Sequence, residues 1–167
     1  MNSTSTISGN ETVVRILHRD WIVDDELQIS AFSLRQNETY ISVNRPIIES
    51  FDDDISDFLS KHTEYLISDK PKTYKHAAMN VEELRSIKVL LGQNSLDVSV
   101  EVEPRDSHYK SHAGIFTRLS GENIKGGQQK DVPIVDEITL PISAIYQKVQ
   151  YKLLSIATLE QHNIVEL

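Results

Sequence analysis

The sequence predicts a single α+β domain, mainly an antiparallel sheet, with two short helices and one long C-terminal amphipathic helix. Three observations carry this expectation. Leu96, Val98, Val100 and Val102 alternate strictly with Asp97, Ser99, Glu101 and Glu103, the two-residue period of a strand with one buried and one wet face. Ile142, Ile145, Tyr146, Val149, Leu153, Ile156 and Ala157 recur at intervals of three and four, the period of an amphipathic helix. Strand-like and helix-like segments come in blocks rather than in regular alternation, which favours an α+β arrangement over a doubly wound one. The 167 residues suit one compact domain, since a chain of this size buries about two-thirds of its surface without a disulfide or a metal.

Taken in order, residues 1–12 are rich in Ser, Thr, Asn and Gly with Glu11 as their single charge. They read as a flexible leader, and residues 13–167 as the domain. Ile7 is the only large aliphatic residue of that leader, too little for the apolar run of a secretory signal. Val13, Ile16 and Leu17 have helical spacing, but the Val and Ile content suits a strand, which is what the segment is expected to form. Segments 29–34 and 39–43, rich in β-formers and separated by Arg35, Gln36, Asn37 and Glu38, read as a hairpin.

Ser50 with Asp53 three residues on is a helix cap, and Ile55, Phe58 and Leu59 then share a face. Asp52, Asp53 and Asp54 would lie in the first turn, opposite the unsatisfied N–H groups. Residues 69–74 read as an exposed connection. Asn80 and Glu83 repeat the capping pattern ahead of Val81, Leu84 and Ile87. The alternating strand at 96–102 has an expected antiparallel neighbour at 113–119, and 121–131, with Gly126 and Gly127, reads as a mobile loop. Pro141 suits the first turn of the last helix, expected over 142–159.

Composition removes several function classes. The chain has no cysteine, which excludes disulfides, thiolate metal sites and cysteine nucleophiles and is compatible with a reducing cytoplasm. Its 17 Lys and Arg stand against 25 Asp and Glu, a formal charge of -8, and its aromatic content is low. Nucleic acid is therefore a disfavoured partner. No stretch approaches the roughly 18 apolar residues of a membrane span. The expected setting is cytoplasmic, with another protein as partner and no membrane contact.

Catalytic motifs are tested residue by residue. His18, Arg19 and Asp20 match the start of a kinase catalytic loop, but Asp25 stands where that loop needs its Asn. Asp52 to Asp57 fail as a calcium loop, with Asp57 in the place of the turn Gly and Thr63 in the place of the bidentate Glu. P-loop, dinucleotide and hydrolase-elbow motifs are absent, so no cofactor is expected. His108 and His112, with Asp106, make a metal-ligand set on paper, in a loop between Pro104 and Gly114.

Ser30-Ala31-Phe32, Tyr40-Ile41-Ser42-Val43-Asn44-Arg45, Glu103-Pro104 and His112-Ala113-Gly114-Ile115 resemble a diffuse group of small uncharacterised bacterial proteins, over residues 13–119. The resemblance implies a bacterial cytoplasmic protein with any site near His112, and transfers no activity. Two functional readings follow. One is a non-enzymatic binding or accessory protein, with the long helix as contact surface. The other is a small group-transfer enzyme or hydrolase, similar to ADP-ribosyltransferases, in which His18, Arg45 and His112 converge, with Ser42 on an adjacent strand. In it Arg45 would clamp a phosphate or carboxylate and His112 would move a proton.

Overall fold

The computed structural model describes residues 6–135 and 138–164. One eight-stranded sheet organises the molecule: β1 (Thr12–Ile16), β2 (Tyr40–Asn44), β3 (Ser68–Asp69), β4 (Lys72–Asn80), β5 (Val98–Pro104), β6 (His112–Leu119), β7 (Glu122–Asn123) and β8 (Thr158–Asn163). The strands run β7-β6-β2-β1-β4-β8, with β5 paired to β6 and β3 to β4, and every pairing is antiparallel. The helices are α1 (Phe51–Lys61), α2 (Val81–Arg85) and α3 (Ile142–Ile156). This is the α+β domain that the two periodicities predict.

Strand pleating sorts the core onto two faces. Val13, Ile41, Val43, Ala77, Met79, Ala113 and Ile115 join Val81 and Leu84 of α2 and Tyr146, Val149 and Leu153 of α3 in the main cluster. Ile16 and Tyr74, from the opposite pleat, pack with Ile55 and Leu59 of α1. The Asn80 side chain accepts from the Glu83 N–H at 3.0 Å, so the expected cap of α2 forms. At α1 Ser50 instead donates its hydroxyl to Asp54 at 3.0 Å, and Asp54 is turned inward.

Four expectations are corrected. Segment 29–34 is not a strand, because Ile29–Phe32 forms a 3-10 turn. The Ala31 and Phe32 carbonyls that a ladder would use are taken by the Arg15 Nε–H at 2.6 Å and the Tyr146 hydroxyl at 2.8 Å. The 121–131 loop is tied down: Ile124 is buried, the Gly126 N–H donates to the Glu38 carbonyl, and the Asn37 N–H donates to the Gly126 carbonyl. The expected leader lies partly outside the described residues, but Ile7 sits in the main core and Glu11 is buried in an ion pair with Arg45. Finally, α3 stops at Ile156, and the chain returns as edge strand β8 rather than continuing as helix to 159.

Candidate functional site

β1 and β2 share one register pair, Val14 with Asn44. Beyond it the strands part, and the opening is a cavity of about 670 Å³, within the range of small-ligand sites. Its walls are aromatic, with Trp21, Phe58, Tyr65 and Tyr109, and its polar groups include Arg15, Ser42, Asn44, His108 and His112. Another cleft, of about 680 Å³, is walled largely by 125–131 and lacks both a histidine and this aromatic wall.

Arg15 is the centre of the site. It shares the β1 pleat with Val13, a core residue, so its guanidinium emerges from an otherwise apolar face. The Nε–H donates to the Ala31 carbonyl at 2.6 Å and an Nη1 N–H to the Ser42 carbonyl at 2.8 Å. Its Cζ stands 4.7 Å from the centre of the Trp21 ring. Burial lowers its pKa to about 10, so the group stays charged at neutral pH. Two of the five guanidinium N–H donors are thus spent on holding the group in place. Arg35 and Glu38 also line the cavity, giving two guanidiniums against one carboxylate.

The far wall is held from α1. Asp54 accepts from the Ser111 N–H at 3.0 Å and its hydroxyl at 2.6 Å, and Asn44 donates to the same hydroxyl at 2.9 Å. Tyr109 donates to Asp57 at 2.7 Å. Burial, together with that carboxylate, pushes the Tyr109 phenol up to about 12, so it remains neutral. Loop 105–111 is thereby fixed over the opening.

The sequence candidates divide. His112 and Ser42 lie together, with Nε2 and Oγ 3.2 Å apart, because Gly114 pairs with Ser42 and His112 with Asn44 on the same pleat. Burial and the nearby Arg105 charge hold the His112 imidazole below its ordinary pKa, which keeps it neutral near pH 7. Tyr40 lies across Gly114, where a Cβ would come within 2.7 Å of the ring. Arg45 lies apart from the cavity lining and forms two hydrogen bonds, each 2.9 Å, to buried Glu11. The expected convergence of His18, Arg45 and His112 is corrected accordingly. His18 stands behind the aromatic wall, its ring 5.2 Å from Tyr65 and 5.8 Å from Trp21, while Nδ1 accepts from the Asp20 N–H.

His108 and His112 line the cavity and Asp106 does not. Among the described residues, the group of three whose ligand atoms lie within 4.8 Å of one another is His76, Glu160 and His162, elsewhere on the sheet. The expected set of Asp106, His108 and His112 is not assembled. Sequence reasoning missed Arg15, whose signal is a charge at the buried period of an apolar strand. It also missed Trp21, Tyr65 and Tyr109, which no periodicity marks. No protein-family model, curated protein or solved structure matches this chain.

Proposed function

We propose that this chain is a non-enzymatic binding protein whose ligand is a small planar organic anion, of the size of a mononucleotide, taken into the cavity between β1 and β2. The observation that carries the reading is Arg15, a charged guanidinium pinned by two carbonyls and the Trp21 face beside a cavity with aromatic walls. An anion meets donors already ordered, so little conformational freedom is lost on binding. A flat ring would meet an apolar aromatic wall there. Within a molecule of net charge -8, these cations set apart one surface on which an anion is favoured.

Calorimetry and thermal shift with AMP, GMP, NAD and adenosine test the reading. The phosphate-bearing ligands should raise the melting temperature, and adenosine should bind at least about tenfold more weakly, as a lost charged hydrogen bond implies. Arg35→Ala should weaken the nucleotides and leave adenosine unchanged. Equal affinity for nucleoside and nucleotide, or no shift with any anion, would overturn it.

The contact between Ser42 and His112 favours a second reading, group transfer of the ADP-ribosyltransferase type. Nicotinamide released from NAD by the wild type and not by His112→Ala would support that reading against simple binding.

A further inference from the structure

We propose that His76, Glu160 and His162 form a binding site for a borderline divalent transition-metal cation of the Zn²⁺ class, separate from the cavity between β1 and β2. The site is a product of strand register. Glu160 of β8 lies opposite His76 of β4, and His162 lies opposite Tyr74. Positions two apart on a strand project to one face, so all three ligand side chains meet on the same side of the sheet. His76 Nε2 is 2.6 Å from Glu160 Oε1 and 3.1 Å from His162 Nε2, and His162 Nε2 is 4.0 Å from the same carboxylate oxygen.

Protons serve this arrangement poorly. His76 Nε2 faces a carboxylate and a second imidazole nitrogen at once, and its single hydrogen can point at only one of them. If Nε2 is unprotonated it faces the carboxylate with a lone pair. A cation resolves the conflict, because all three atoms then present lone pairs to a common centre. Zinc bound at about 2.0 to 2.1 Å in tetrahedral geometry separates its ligand atoms by about 3.3 Å, in the middle of the three separations observed. Two imidazoles and one carboxylate are also a donor set on which zinc is held with an open fourth position.

The surroundings fit a site with an open position. His76 is 5% exposed, and its ring lies 4.2 Å from that of His162. The His162 ring in turn stacks on Tyr74 at 5.4 Å. The cluster borders a cleft of about 630 Å³ whose lining also includes Asp52, Asn80 and Glu83, so a fourth ligand can come from solvent or a small molecule. Among the described residues, His76 Nδ1 is buried without a hydrogen-bond partner. No outer acceptor therefore pins that ring, and affinity should fall about 10- to 100-fold short of a fully supported zinc site.

The test uses the full chain, free of any histidine tag and dialysed against chelator, titrated with Zn²⁺ by calorimetry and with Co²⁺ by visible absorption. The wild type should take up one equivalent of Zn²⁺, with Co²⁺ giving the intense bands of a four-coordinate site. His162→Ala, at a side chain 40% exposed, should fold normally and weaken uptake at least about 100-fold. Glu160→Gln should weaken it less, and His108→Ala should leave it unchanged. Uptake that survives His162→Ala, or that His108→Ala removes, overturns the assignment. So does the absence of saturable binding in a folded wild type.

Discussion

At the scale of single residues, the charges that matter are those folded inward. Arg45 and Glu11 are 3% and 8% exposed, and a buried pair of this kind is strongly destabilised when one partner is removed, since the other is left charged and unmatched. Arg45→Met should therefore lower stability by about 3 to 5 kcal/mol, read by urea denaturation. Glu11→Leu added to it should recover much of the loss, because both desolvation costs then disappear. A single mutant as stable as wild type would mean that the pair contributes nothing. Neither role was legible in the sequence: Glu11 sits in a polar segment, and Arg45 follows a strand at a point where a ligand clamp and an internal ion pair look alike. Arg15 differs, because a cation at a buried period among Val13, Val14 and Ile16 marks its position as exceptional.

At the scale of elements, the strong periodicities determined their own segments and little beyond them. The stripe of α3 is core: Ile145, Val149 and Leu153 are each 0% exposed. Ile145→Asp with Val149→Asp should give a chain without a cooperative unfolding transition by circular dichroism, since two carboxylates would be buried unpaired. A folded, soluble double mutant would show that the face can be dispensed with. That burial also removes the helix stripe from consideration as a partner surface. Gly126 makes the second case. A Cβ there would come within 1.8 Å of the Arg35 carbonyl oxygen, a backbone atom that cannot swing aside. Gly126→Ala should separate the 121–131 segment from the 35–38 turn, detected as faster amide exchange at Asn37 and at position 126. Strand β8 escaped notice because it is polar. Thr158, Glu160, Gln161, His162 and Asn163 surround a single Leu159, the composition of an edge strand that owes its form to backbone pairing.

At the scale of the whole molecule, no helix among the described residues is long and apolar enough to cross a membrane, and the response to acid follows from two histidines, the buried His76 and the half-buried His112. Burial lowers the His76 pKa, which Glu160 only partly offsets, and burial with Arg105 lowers that of His112. A depressed folded-state value means that the unfolded chain binds protons first, so stability is complete above 6.5 and declines as pH falls through the folded values. Glu11 and Glu103 add a second loss below the ordinary carboxylate value of 4.5. Burial opposes the Glu11 shift, and its hydrogen bonds to Arg45 and Ser8 outweigh it. At Glu103 the Arg118 guanidinium is the leading cause. Denaturation of metal-free protein should show lower stability at pH 5.5 than at 7.5, with His112→Asn reducing the difference; identical curves would rule out the histidine contribution. The sequence by itself determined the α+β class, the strand at 98–102, the amphipathic face of α3 and the cap of α2, because each rests on neighbours in the chain and on local hydrogen bonding. Only the tertiary structure decided that β1 and β2 part around Arg15, and that β8 sets Glu160 opposite His76. Those are long-range pairings, in which residues tens of positions apart meet because strands choose partners to complete a sheet, and local patterning cannot specify which strand lies beside which.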